Sequence, residues 1–158
     1  MVIELVTMVD CLFCKIVAGE IPSFKVYEDS ETLAFLDINP AAPGHILVIP
    51  KRHTKDIFEI EEQSLKAVAA TVKRMADRLR SALGADVSVL QNNGRAAGQA
   101  IDHLHVHVIP RHAGDRLPLA HMGPPASKEA LADMQKRLAS DRPFEERARA
   151  ALSEWERL

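Results

Sequence analysis

Apolar and β-branched residues gather in short stretches at Lys25 to Glu28, Thr32 to Leu36, His45 to Ile49 and Asp86 to Leu90, each bounded by Pro, Gly, Asn or Asp. A fifth stretch, His103 to Ile109, runs into Pro110. Runs of this length and content predict strands, and Glu28-Asp29-Ser30-Glu31 reads as a hairpin connection that makes the first two antiparallel. Between the third and fourth stretches the period changes. Leu65, Val68, Ala69, Val72, Met75, Leu79 and Ala82 recur at helical spacing, and Gly84 stands where a helix C′ residue belongs. That predicts one amphipathic helix of about five turns. Beyond Pro110, residues from Arg111 to Pro125 are rich in Gly, Pro and His. From Ser127 onward the pattern is helical, with Pro143 opening a last, charged segment.

Strands grouped before and after one helix imply an α+β fold, a five-stranded antiparallel sheet with helices on one face. A doubly wound parallel sheet would need more crossover helices. No G-x-G-x-x-G or Walker loop occurs, so a nucleotide phosphate would have to be held by other means.

At 158 residues the chain suits a single domain over 1–158, with its core at about 11–111 and a C-terminal helical extension at about 127–158. It needs no disulfide staples at this size. With 20 Lys+Arg against 22 Asp+Glu it has no basic field for a nucleic-acid backbone. The stretch from Met1 to Met8 carries Glu4 and lacks the basic start of a secretory signal, and no stretch approaches a membrane span. The expectation is a soluble, cytoplasmic protein without nucleic-acid or membrane partners.

The strongest chemical signal is His103-Leu104-His105-Val106-His107-Val108-Ile109. On a strand, His103, His105 and His107 share one face with neighbours ~6.5 Å apart, while the apolar residues take the other. On a helix the middle imidazole would point away from the other two. A polar sheet face that happens to hold histidines is the plain alternative. The nearby Asn92-Asn93-Gly94 and Gly98-Gln99 add uncharged donors and close backbone approach, which suit a phosphate-sized anion.

Cys11-Leu12-Phe13-Cys14 admits three readings. A redox pair belongs beside a βαβ pattern, which is missing; two core thiols are possible; a zinc site would need two more ligands, with His53 and one triad histidine as candidates. Taken singly, His45 reads as a capped strand residue, and Asp37 and Asn39 as turn residues.

These residues together resemble the histidine triad family. The match runs from about Cys11 to Arg111 through Leu33-Ala34-Phe35-Leu36-Asp37-Ile38-Asn39-Pro40, Ala42-Pro43-Gly44-His45-Ile46-Leu47-Val48-Ile49-Pro50-Lys51-Arg52-His53, Gly98-Gln99 and the triad. The resemblance implies a homodimer whose two sheets join into one, and a purine nucleotide bound against the sheet. It implies Asp37 on the ribose hydroxyls and Phe13, Ile16, Phe35 and Ile38 around base and sugar. Asn92, Gly98 and Gln99 would contact the phosphate. His105 would be the nucleophile, with His107 and His45 supporting it. Similarity to zinc-binding bacterial members implies structural Zn2+ on Cys11, Cys14, His53 and His103, with no magnesium requirement.

The implied activity is that of a nucleotidyl hydrolase or transferase acting on an adenosine phosphoramidate or related conjugate. Dinucleoside polyphosphate hydrolysis or phosphorolysis is an alternative, as is a nucleotide-binding adaptor with little turnover. Two positions depart from the pattern. Ala100 stands where the purine phosphoramidase branch usually carries a hydroxyl, and Asp102 where an apolar or aromatic residue is usual.

Overall fold

A computed structural model describes residues 10–117 and 124–139. The five expected strands form: β1 (Lys25–Glu28), β2 (Thr32–Leu36), β3 (Ile46–Pro50), β4 (Asp86–Gln91) and β5 (Val106–Arg111). They make one sheet in the order β1-β2-β3-β5-β4, with every neighbouring pair antiparallel. Three α-helices accompany it among the described residues: α1 (Leu12–Val17), α2 (Glu62–Leu83) and α3 (Lys128–Leu138).

Strand alternation sorts the side chains into two compartments. Ala34, Leu36, Ile46, Val48, Val106 and Val108 face α2 and α3, where they bury against Val68, Met75 and Leu79 of α2 and Leu131, Met134 and Leu138 of α3. Each large side chain buried in this way contributes roughly 1.5–3 kcal/mol relative to exposure. The hydroxyls of Thr32 and Thr71 satisfy each other at 2.7 Å inside this layer. On the opposite face Leu33, Phe35, Leu47 and Ile49 pack against Phe13 and Ile16 of α1. The long helices thus take one face as expected, while the short α1, which the hydrophobic pattern does not announce, covers part of the other.

Two glycines shape the ends that matter. Gly84 stops α2 in the left-handed conformation (φ 62°), its N–H bonded to the Arg80 carbonyl at 2.9 Å. Gly44, at φ 97°, brings the β2–β3 turn so close to α2 that a Cβ there would lie 2.9 Å from Leu83 Cδ1. That contact sets the position of His45, the next residue.

The structure corrects the triad strand. β5 begins at Val106, not His103, because the Leu104 N–H is bonded to the Thr54 carbonyl at 2.8 Å and not to β3. Pro110 does not end it: Pro110 pairs with Val87 and the strand continues to Arg111. β3 reaches β5 only at Val106 to Val108, so the N–H that proline lacks falls on the side without a partner strand.

The C-terminal extension is helical at α3, which Ser127 caps by accepting the Ala130 N–H at 3.1 Å. The segment at Pro143 and the stretch from Met1 to Met8 lie outside the described residues. No described helix is long and apolar enough to cross a membrane.

Candidate active site and metal centre

His105 and His107 emerge on the α1 side of the sheet, and the β2–β3 turn delivers His45 beside them. Each ring's hydrogen-bond partners assign its tautomer, because a backbone N–H can only donate and a carbonyl can only accept. The Ala41 N–H donates to His45 Nδ1 at 3.0 Å, so neutral His45 carries its proton on Nε2. That proton is donated to His107 Nδ1 at 2.9 Å, which places the His107 proton on its own Nε2. His105 Nδ1 donates to the His103 carbonyl at 2.7 Å. The lone pair of neutral His105 is therefore on Nε2.

Burial keeps these rings neutral. Desolvation lowers the pKa of His105, against the opposing pull of the His103 carbonyl and the Asp37 carboxylate. It also lowers that of His45, with Asp37 again opposing. His107 falls to about 4, chiefly by desolvation and further by its two imidazole neighbours.

A cavity of about 420 Å3 opens in front of the rings. Phe13, Ile16, Phe35 and Ile38 line its apolar end, and Asp37, His45, Asn92, Gly98, His105 and His107 also border it. Asp37 is held by an Asx turn, its Oδ1 accepting the Asn39 N–H at 2.8 Å, and its Oδ2 lies 3.8 Å from His45 Nε2. Ten of the eleven residues expected at a nucleotide site are thus brought together. The exception is Gln99, which is buried and borders no part of this cavity. The lining also includes Leu47, Leu90 and Ile109, which the sequence reading omitted. Leu47 and Leu90 flank His107 in register on either side, a relation visible only once strand pairing is known. Ala100 borders the cavity, and exposed Asp102 lies 3.9 Å from Arg95.

Behind Phe13, whose ring stands edge-on to both His103 and His105, lies a second cluster. Cys11 Sγ is 3.4 Å from His103 Nδ1, and Cys14 Sγ is 3.3 Å from His53 Nδ1 and 3.6 Å from His103 Nδ1. All four ligand atoms lie within 4.8 Å of one another. A tetrahedron built from Zn–S of ~2.3 Å and Zn–N of ~2.05 Å has S···N edges of about 3.6 Å, close to the three S···N distances found here. The His103 Nε2–H donates to the Pro50 carbonyl at 2.8 Å, which directs the Nδ1 lone pair at the sulfurs, as the outer shell of a metal site does. Burial and neighbouring Cys11 push the Cys14 thiol up to about 12, so a Cys14 thiolate here requires a cation. Of the three readings of the Cys pair, zinc ligation fits this donor set. Asp37, His45 and His107 also converge within metal-ligand range, but the His45 Nε2 proton lies on the His107 lone pair, so this group is a hydrogen-bonded relay.

The chain is similar over most of its described length to known proteins. An uncharacterised HIT-like protein of Methanocaldococcus jannaschii is 48% identical over 106 residues, covering 66% of this chain and 81% of that protein. An adenosine 5′-monophosphoramidase of Candida albicans is 44% identical over 106 residues, 64% of this chain and 70% of the other. The crystal structure of a zinc-bound histidine triad family protein from Mycobacterium smegmatis superposes with a TM-score of 0.74 at 38% identity, covering 84% of this chain and 95% of that one. The model of the HIT domain matches residues 18–114, well over half the sequence, and the chain belongs to the histidine triad family.

Proposed function

We propose that the chain cleaves an adenosine phosphoramidate or a related AMP conjugate by transferring the nucleotidyl group first to His105 and then to water. The observation that carries this reading is the free Nε2 lone pair of a buried, neutral His105 facing a cavity with an apolar end and a carboxylate. Named relatives act on such bonds, the monophosphoramidase among them.

In the first step the His105 Nε2 lone pair forms a bond to phosphorus and the bond to the leaving group breaks. The departing group takes its proton from solvent, and the His107 Nε2–H, in reach of the cavity, supports it with a hydrogen bond, because the N–H of a neutral imidazole is too weak an acid to give its proton up. The cationic His105 ring is stabilised through Nδ1–H on the His103 carbonyl and by the Asp37 charge. Water then attacks phosphorus, the P–O bond forms as the P–N bond to His105 breaks, the neutral imidazole is restored, and the proton that water loses passes to solvent, replacing the one taken up in the first step. Splitting the displacement in this way is the usual gain of covalent catalysis, and the remaining demand is positioning and charge stabilisation by fixed donors. The scheme asks for no magnesium. Zinc held by Cys11, Cys14, His53 and His103 would have four protein ligands and would crosslink the fold without activating water.

The same reading includes a homodimer joined at a sheet edge. Gln135 of α3 donates to the Lys25 carbonyl at 2.8 Å and so covers β1, whereas β4 presents an exposed Val89. Among the described residues β4 is the edge left for a partner strand.

The deciding experiment is a rate ranking over an adenosine phosphoramidate, an acyl-adenylate and diadenosine tetraphosphate. The phosphoramidate is expected to lead, and a strong preference for the dinucleotide would move the chain to the polyphosphate hydrolases. Retention of AMP without turnover of any of the three would make it an adaptor.

Asp37 is proposed to accept hydrogen bonds from the ribose hydroxyls. Asp37→Ala should weaken AMP binding by about tenfold to a hundredfold, the worth of a hydrogen bond to a charged group. Binding of the 2′,3′-dideoxy analogue should change far less. Calorimetry on the two ligands checks this, and equal losses would contradict the assignment.

A further inference from the structure

The side chain of Gln99, buried to 2% exposure, is fully engaged with protein. Its Oε1 accepts the Gly94 N–H at 2.7 Å, and its Nε2 donates to the Lys55 carbonyl at 2.6 Å and to the Ile101 carbonyl at 3.0 Å. A primary amide has two hydrogens. Both are committed to carbonyls, and none is left for a phosphate.

These bonds tie two loops together. Gly94 lies in the loop from Asn92 to Gly98, whose ends border the cavity and whose central 3-10 turn buries no side chain. With nothing anchored in a core, that loop takes its position from hydrogen bonds. Lys55 lies in a firmer loop, where Asp56 Oδ1 accepts the Phe58 N–H at 3.0 Å and the Leu104 N–H holds the Thr54 carbonyl at 2.8 Å. A second tie joins the same loops, from the Ile57 N–H to Asn93 Oδ1 at 2.7 Å.

We propose that Gln99 is a positioning residue that fixes the Asn92 to Gly98 loop over the phosphate by bracing it to Lys55, and does not itself contact substrate. The catalytic consequence rests on the function proposed above; the brace does not. Displacing phosphate donors by an ångström costs about a hundredfold in rate. Base and sugar contacts on α1 and β2 are untouched, so the loss belongs in kcat and not in KM.

The test compares Gln99→Met, which keeps the shape and loses the three side-chain bonds, with Asn93→Ala, which cuts the other tie from a position outside the cavity lining, and with the double variant. Hydrogen exchange on ligand-free protein should show faster exchange at Gly94 to Gly98 in both single variants, by about tenfold or more. With the phosphoramidate, kcat should fall about 10- to 100-fold while KM stays within about threefold. The double variant should lose less than the product of the singles, because both cuts release one loop. Unchanged exchange in Gln99→Met and Asn93→Ala would overturn the brace, whatever the activity. So would wild-type turnover in Asn93→Ala together with a Gln99→Met variant that loses affinity for AMP but not for adenosine, the mark of a direct phosphate contact. If Gln99→Met fails to fold, Asn93→Ala alone still decides by exchange and by kcat. A wild-type protein that neither binds AMP nor turns over any conjugate would defeat the proposed function instead, leaving exchange to judge the brace.

Discussion

Replacing His105 with glycine or alanine is expected to abolish turnover, a fall of about four orders of magnitude or more, as when a covalent nucleophile is removed. AMP affinity should stay within about a factor of ten, because an interaction made only in the transition state has been lost. The prediction rests on tautomers. Of the three imidazoles at the cavity, His105 alone has its Nδ1 proton donated to a carbonyl and its Nε2 lone pair free, whereas the His45 and His107 pair use Nε2–H and Nδ1 on each other. Mass spectrometry of enzyme quenched during turnover should find the nucleotidyl adduct on His105. An adduct on His107 or His45, or near wild-type turnover in the His105 variant, would reject the scheme.

The pH profile supplies a second reading of the same site. All three pKa values lie below the free-imidazole value of ~6.5, with desolvation the largest cause in each case. The neutral form is the active one, so kcat/KM should hold as pH falls through ~6.5 and decline only below it. A decline centred above ~6.5 would show that burial does not control these rings.

The parts of this structure that follow local pattern were legible in the sequence. β1 and β2 fall at the expected residues because short apolar and β-branched runs and a four-residue turn determine them locally. The end of α2 was readable from Gly84, since a left-handed C-cap is chemistry a single residue announces. Beyond local pattern the reading weakened. The start of β5 was missed because the Leu104 N–H finds Thr54, fifty residues away, and no periodicity reports such a partner. α1 was missed because its six residues are too short for a helical period to show. Family resemblance named ten residues that border one cavity and also Gln99, whose amide hydrogens lie on the Lys55 and Ile101 carbonyls, a placement that no sequence pattern reports.

Removing zinc should destabilise the fold while leaving the nucleophile chemically intact. Protein purified without added metal is expected to contain about one zinc per chain, since four ligand atoms of the correct types stand within 4.8 Å of one another, three of their S···N distances near those of a tetrahedral zinc site. The ligands come from α1 and its N-cap residue Cys11, from the segment after β3 and from the segment before β5, so the ion would join three parts of the chain. A metal present at a thousandfold above its Kd stabilises by about 4 kcal/mol. For a chain of this size that corresponds to a fall in Tm of roughly 8–16 °C on chelation. His103→Ala should reproduce the loss, with zinc content and Tm falling together and activity following, because the His103 carbonyl is the group that orients His105. Cobalt substitution should give a tetrahedral spectrum and a rate within a few-fold of the zinc form, as a site with no open coordination position requires. Metal-free protein with Cys11 and Cys14 joined as a disulfide would refute the assignment. A Tm indifferent to chelation would deny the ion its structural role.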